Sequence, residues 1–202
     1  MKVETIEQNY AIAKARYAEF GIDTDKAIAE LEKTPISLHC WQADDVTGFE
    51  SNSALTGGIQ ATGNYPGKAR NIDELRQDIE KVQTLLAGHH RLNLHEIYGE
   101  FGGKFVDRDQ VEVSHFQGWI DWAKEHNLKL DFNSTSFSHP KSGDLSLANP
   151  DKAIRDFWIE HTKRCRRIAD AMGKAQGDPC IMNIWVHDGS KDLTVERYRY
   201  RQ

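Results

Sequence analysis

The chain has 202 residues, of which 28% are charged and 39% hydrophobic, and this is enough to bury the core of one domain. A formal net charge of −5 provides no basic surface for nucleic acid or an anionic membrane, and the apolar stretches are too short to cross a bilayer. The amino terminus lacks an apolar signal segment, and the three cysteines form neither a CxxC pair nor an even set, so a cytoplasmic location is expected.

Two helices are predicted in residues 1–34. Apolar side chains at three- and four-residue spacings indicate a helix from about residue 4 to residue 20, which Gly21 ends. A shorter helix follows Asp23 and ends before Pro35. These helices precede the first predicted strand.

Four short apolar runs are predicted to form strands, because strands of a parallel sheet are buried on both faces and read as near-continuous apolar runs. They span residues 37–42, 91–98, 128–133 and 180–188. Helices are predicted between them at 71–88 with Asn71 as N-cap, at 109–126, and at 149–173 with Asn149 as N-cap and Pro150 in the first turn. This alternation of strands and helices favours a parallel α/β sheet.

The stretch 43–71 has little periodicity and many glycines. Structureless stretches of this length in compact domains are usually functional, so we predict a lid loop in which Ile59 or Tyr65 contacts a ligand. A surface loop without a role is the alternative. The phosphate-binding spacing of a P-loop is not present in it.

Polar and aromatic side chains lie where the predicted strands end, and α/β proteins build active sites at the carboxyl ends of parallel strands. His95 ends the second strand, and a histidine there is suited to moving a hydroxyl proton. Trp41, Phe132 and Trp185 end the other three strands and are candidates for an apolar wall around a substrate. A hydrogen-bonded histidine without a catalytic part, and aromatic rings that serve only core packing, are the alternatives.

Several strings of residues resemble the amino-terminal half of the bacterial L-rhamnose isomerase family, in the same order and spacing and over essentially the whole chain. They lie at Leu38–Glu50, Leu55–Arg70, Arg91–His95, Leu130–Asn133, Phe137–Pro140, Met182–Trp185 and Asp188–Asp192. The resemblance implies an α/β fold of the (β/α)8 TIM-barrel type. It would be incomplete here, with about the first four β/α units preceded by N-terminal helices.

On this basis we expect a single domain, 1–202, in which 1–34 holds the N-terminal helices, 36–188 the first four strands with their helices, and 43–71 the lid. The family resemblance implies a homotetramer that interconverts L-rhamnose and L-rhamnulose with a divalent metal, typically Mn²⁺. Family members are about twice as long, and their metal ligands lie on later strands, so no metal ligand is assigned in this chain. The resemblance further implies that His95 assists opening of the sugar ring.

The leading hypothesis is therefore an amino-terminal fragment of an L-rhamnose isomerase that is inactive alone. The alternatives are a non-catalytic sugar-binding or interaction module, closed by dimerisation, and one half of a split isomerase. In the last case a separate chain supplies the complementary carboxyl-terminal half.

Overall fold

The computed structural model describes residues 2–39, 48–50 and 69–188. The chain forms two compact units, one of Met1–Ile36 with Ala87–His89 and the other of Ser37–Leu86 with His90–Gln202. The single-domain organisation stays a prediction. Among the helices of the described ranges, none combines the length and the apolar character that crossing a membrane requires.

The amino-terminal unit contains helix α1, Val3–Ala18, and helix α2, Thr24–Leu31. The Asp23 side chain caps α2 by accepting a hydrogen bond of 3.1 Å from the Lys26 backbone N–H. The Tyr10 hydroxyl donates to Asp25 over 2.6 Å. Both predicted helices are confirmed, because their boundaries depend on local capping and periodicity.

Four strands form one sheet in the order β1-β2-β3-β4, which is also their order in the chain. Strand β2 is parallel to β3, and β3 is parallel to β4. This α/β arrangement fits part of a barrel. The strands are β1 Ile36–His39, β2 His90–His95, β3 Lys129–Thr135 and β4 Met182–Trp185.

The helix predicted at 109–126 is only half helical. Two 3₁₀ turns, Arg108–Gln110 and Val113–Phe116, precede the α-helix Gln117–Glu125, here α4. Val111 between the turns has an extended backbone with ψ 142°, which no α-helix can include. Helix α3 is Ile72–Gln83, and the Asn71 side chain caps it as predicted.

The predicted cap of the last helix, Asn149 with Pro150, is wrong. Helix α5 is Lys152–Gln176, and Asp151 is its N-cap, accepting from the Ala153 N–H over 2.8 Å. The side chain of Asn149 instead accepts from the Asp151 N–H, which forms a turn before the helix. The helix also continues beyond the predicted end and stops at Gly177, whose φ of 62° is a left-handed C-cap.

The expectation that the strands are apolar on both faces is also wrong. One face carries Leu92, Leu94, Leu130 and Phe132, which are buried in the core with side chains of the helices. The other face carries Arg91, Asn93, His95, Asp131, Asn133 and Thr135. Successive strand residues point to opposite faces, so the same strands present a leucine-rich side and a polar side.

Candidate active site

The polar face of the sheet places three side chains next to one another, in register with the carboxyl end of β2. In the parallel registers His95 is opposite Asn133, and Asn133 is opposite Asn183. Register partners in neighbouring strands point to the same side, so one imidazole and two amides form a row. We call His95, Asn133 and Asn183 the polar row. It can bind hydroxyl groups by donating and accepting hydrogen bonds.

Below the polar row, a buried ion pair joins the strands. Arg91 donates from Nε and Nη2 to the two carboxylate oxygens of Asp131, each over 2.9 Å. Asp131 also accepts from Ser37 Oγ over 2.7 Å and from the Ile181 N–H over 2.8 Å. Hydrogen bonding to Asp131 raises the pKa of Arg91. This carboxylate therefore connects β1, β2, β3 and the residue before β4.

His95 is held in one tautomer by its surroundings. Its Nδ1 accepts a hydrogen bond of 3.3 Å from the Ile97 N–H, so in the neutral ring the proton is on Nε2. Burial, and then the positive charge of Arg108, lower the pKa of His95 to about 3. The ring lies 5.7 Å from that of Tyr98. His95 is therefore a neutral hydrogen-bond donor at physiological pH.

Of the predicted aromatic wall, Phe132 and Trp185 are described, and they lie on opposite faces of the sheet. Trp185 is on the same face as His95, 40% exposed, with its ring centroid 6.4 Å from that of Phe137. Phe132 points to the other face and is fully buried, edge-on to Phe116 at 5.2 Å. Phe132 directly precedes Asn133, and successive residues of a strand point to opposite faces, so its ring lies on the core side of the sheet. Trp41, and the lid residues Ile59 and Tyr65, lie outside the described residues.

Arg108 organises the backbone around the ends of β2 and β3. It is buried, it pairs with Glu50 over 2.5 Å, and its guanidinium donates to the carbonyls of Thr135 over 3.1 Å and Phe137 over 2.7 Å. Glu96 lies 3.5 Å from the same guanidinium. The ion pair with Glu50 fixes the short described segment 48–50 at the strand ends.

Gly48 allows that segment to approach the end of β2 closely. Its φ is +67°, and a Cβ there would lie 2.6 Å from the Cβ of Ile97. The next residue, Phe49, donates its N–H to the Ile97 carbonyl over 2.7 Å. A glycine is therefore required at this position by both conformation and space.

A second group of chemically active side chains lies between the sheet and α5. Glu96, His161 and Cys165 are all buried, and each offers one ligand atom within 4.8 Å of the other two. Burial raises the pKa of Glu96 to about 8, raises that of the Cys165 thiol, and lowers that of His161 to about 4. All three groups are therefore mostly neutral at pH 7 when no ion is bound.

The polar face of the sheet has a signal in the sequence, which is the alternation of polar and apolar residues in β2 and β3. Arg91, Asn93 and His95 alternate with leucines, as do Asp131 and Asn133 with Leu130 and Phe132. Such alternation is typical of a strand with one polar face. The Arg108 and Glu96 clusters had no local signal, because their partners come from distant parts of the chain.

Comparison with known proteins identifies the family of the chain. The family model of L-rhamnose isomerase (RhaA) matches residues 4–202. The L-rhamnose isomerase of Bacteroides thetaiotaomicron is 71% identical over 201 residues, 99% of this chain and 48% of that protein. Those of Rhodopirellula baltica and Mannheimia succiniciproducens are each 52% identical, over 98% and 99% of this chain and 46% and 48% of their own lengths.

The chain spans about half the length of the curated relatives it matches. The family model matches nearly all of the 202 residues, and a relative covered over 99% of this chain is 71% identical. The chain belongs to the L-rhamnose isomerase family.

Proposed function

We propose that the chain is the amino-terminal half of a metal-dependent aldose–ketose isomerase that interconverts L-rhamnose and L-rhamnulose. The observation that carries this proposal is the 71% identity, over 99% of the chain, to a protein named L-rhamnose isomerase. The rest of the proposal follows the family resemblance: a complete (β/α)8 TIM barrel, a homotetramer and a cytoplasmic location.

In this proposal His95 assists opening of the sugar ring as a donor. Because Nδ1 is engaged by the Ile97 N–H, the neutral ring can only donate, through Nε2, to an oxygen of the sugar. Hydrogen-bond donation to the ring oxygen stabilises the negative charge that builds up there as the C1–O bond breaks. The proton that the O1 hydroxyl loses in this step passes through water to the ring oxygen, so the open-chain sugar is neutral. The low pKa, about 3, makes His95 a poor base, so proton removal from C1 or C2 belongs to another group.

The remaining residues of the polar face bind and orient the sugar. Asn133 and Asn183 have both donors and acceptors for hydroxyl groups, and Trp185 offers an exposed apolar ring for a carbon face of the sugar. Trp41 and the lid residues Ile59 and Tyr65 are proposed to complete the enclosure. Phe132 is left out, because its ring packs in the core on the opposite face.

The described polar face does not fit the divalent metal of this chemistry. Asp131 is the carboxylate among the described strand residues of this face. Its oxygens accept hydrogen bonds from Arg91, Ser37 and the Ile181 N–H. A Mn²⁺ site needs several oxygen ligands that no neighbouring cation already holds. We therefore assign the ligands to the remaining half of a family-length protein, and we derive no step through the metal from this chain.

Complementation tests the proposal. The 202-residue chain is co-expressed with a second polypeptide, the part of the Bacteroides thetaiotaomicron enzyme beyond its match to this chain, and L-rhamnulose formation is assayed with Mn²⁺. We expect no turnover by either part alone and Mn²⁺-dependent turnover by the pair. Turnover by the chain alone would refute its role as an incomplete half. A correctly assembled pair that leaves L-rhamnose unchanged would refute the activity.

A non-catalytic sugar-binding module is separated from this proposal by calorimetry on the chain alone. Titration with L-rhamnose in the presence of a chelator should give no saturable heat if the sugar site needs both halves. Saturable, metal-independent binding would instead support a module that uses the polar row and Trp185.

A further inference from the structure

We propose that Glu96, His161 and Cys165 bind a divalent cation of the Zn²⁺ type, at a site enclosed between the strand ends and helix α5. This site is distinct from the polar face and does not depend on the isomerase activity. Its three side chains are 0%, 2% and 0% exposed. Carboxylate, imidazole and thiolate together are the ligand set that favours zinc over magnesium, calcium or manganese.

His161 is oriented as a metal-binding histidine. Its Nδ1 lies 3.0 Å from the carbonyl oxygen of Arg108, which can only accept, so Nδ1 carries the proton. The lone pair of the neutral ring is therefore on Nε2. Donation from the second ring nitrogen to a backbone carbonyl is the arrangement that fixes the tautomer of metal-bound histidines.

Cys165 follows His161 by one helical turn, so the two side chains share one face of α5. Its Sγ is 3.8 Å from both ring nitrogens of His161, so the thiol faces the imidazole ring. Tetrahedral Zn²⁺, with Zn–S and Zn–N distances of about 2.3 Å and 2.0–2.1 Å, separates its sulfur and nitrogen ligands by about 3.6 Å. Binding one ion therefore requires the Cys165 thiol to rotate toward the Nε2 side of the ring.

Glu96 provides an independent indication of a ligand. Its side chain is completely buried, and its carboxylate faces the Thr135 backbone N–H without a hydrogen bond of normal geometry. The nearest cationic group is the Arg108 guanidinium, 3.5 Å from Oε1. A buried carboxylate without hydrogen bonds is costly, and a bound cation would satisfy both of its oxygens.

The charges around the site balance when a divalent cation is bound. Arg108 is the cation adjacent to the site, and Glu50 is paired with it over 2.5 Å. The positive charges of a Zn²⁺ ion and of Arg108 equal the negative charges of Glu50, ionised Glu96 and the Cys165 thiolate. The positive charge of Arg108 is thus balanced by the neighbouring negative groups, and the enclosed site has no net charge when the ion is bound.

Metal titration of the 202-residue chain tests the site. The protein is treated with chelator, desalted and titrated with Co²⁺, and the expected result is one equivalent bound with a thiolate-to-cobalt charge-transfer absorption. X-ray absorption of the zinc form should show one sulfur ligand, the others being nitrogen or oxygen. This measurement needs no variant, so it remains decisive if a substitution prevents folding. Failure to bind one equivalent, or a zinc shell without sulfur, would overturn the proposal.

Variants assign the ligands. Cys165→Ser should abolish the cobalt absorption, while the matched Cys180→Ser should retain it, because Cys180 is not part of the cluster. Glu96→Gln keeps the shape of the side chain and should weaken Zn²⁺ binding at least about tenfold. An absorption that survives in Cys165→Ser, or that is lost in Cys180→Ser, would place the metal elsewhere and overturn the proposal.

Discussion

Arg91 and Asp131 form a two-pronged ion pair between neighbouring strands, with both contacts at 2.9 Å and with hardly any of either side chain exposed. Asp178 also contacts Arg91, over 2.5 Å, but is partly exposed. Asp131 is thus the principal partner of the buried Arg91 guanidinium, and this ion pair joins β2 to β3 on the polar face of the sheet.

Replacing Asp131 should therefore destabilise the protein strongly. Asp131→Asn retains the size of the side chain but leaves the Arg91 charge buried with only Asp178, and we expect a loss of about 3 kcal/mol in the free energy of unfolding. Urea denaturation measures this. The matched Asp170→Asn breaks an exposed pair with Lys174 and should change stability little. Equal effects of the two substitutions would show that the buried pair does not support the sheet.

Gly48 is predicted to be irreplaceable for two reasons, which a matched pair of variants separates. Gly48→Ala combines a positive φ with a Cβ 2.6 Å from that of Ile97, whereas Gly143→Ala has only the positive φ and open space. We expect Gly48→Ala to cost about 1–3 kcal/mol more than Gly143→Ala, from overpacking. Chemical denaturation of both variants tests this, and a similar loss in the two would contradict the close approach to β2.

His139 should contribute to acid sensitivity. Its Nε2 donates to Asp107 and its Nδ1 accepts from the Lys141 N–H, and a second proton would break the latter bond. Burial first, and then the charge of Arg108, lower the pKa of His139 against the opposing effect of Asp107. The unfolded chain therefore takes up this proton first, and stability is lost as the pH falls below about 6.5 toward the folded pKa.

Urea denaturation at several pH values measures this contribution. His139→Gln should lose less stability than the unmodified protein between about pH 7 and pH 5. The exposed His89→Gln serves as the matched control, and His139→Gln should retain more of its stability at about pH 5 than this variant. An identical pH dependence of His139→Gln and the unmodified protein would contradict the depressed pKa.

The donor role of His95 is tested in the complemented isomerase. His95→Ala removes the Nε2 donor and should lower kcat by about 10²–10⁴-fold. His95→Gln places an amide donor near the position of Nε2 and should retain more activity than His95→Ala. The exposed His126→Gln is the control and should have normal activity. If His95 acted as a base, His95→Ala and His95→Gln would lose activity equally, and this result would contradict the donor role.

Local signals in the sequence predicted much of the fold. Asn71 was identified as an N-cap because the bond it makes, to the Glu74 N–H, spans three residues. The strand predicted at 128–133 is observed at Lys129–Thr135. Asn149 is a good capping residue, but Asp151 caps the helix, and the turn between them that decides this has no separate signal in the sequence.

The candidate site was less predictable. His95 ends a strand, as the sequence predicts, and its catalytic role stays a prediction. The orientation of Phe132 depends on strand alternation that a run of apolar residues conceals. Arg108 begins a short 3₁₀ turn, and its burial results from Glu50 and from carbonyls of β3 and the segment after it. Such interactions join distant segments, so they become visible only once the fold is known.

The asparagine-bearing side of the sheet has a consequence for the synthesis of a family-length polypeptide. Residues equivalent to this chain leave the ribosome before those of the second half, and domains fold as they emerge. During that interval the surface awaiting the later strands carries Asn93, Asn133 and Asn183 rather than leucines. Asn93 and Asn133 are already buried in this chain, at 3% and 6% exposure, so the nascent half presents little apolar surface on this face to chaperones or to its neighbours on the polysome.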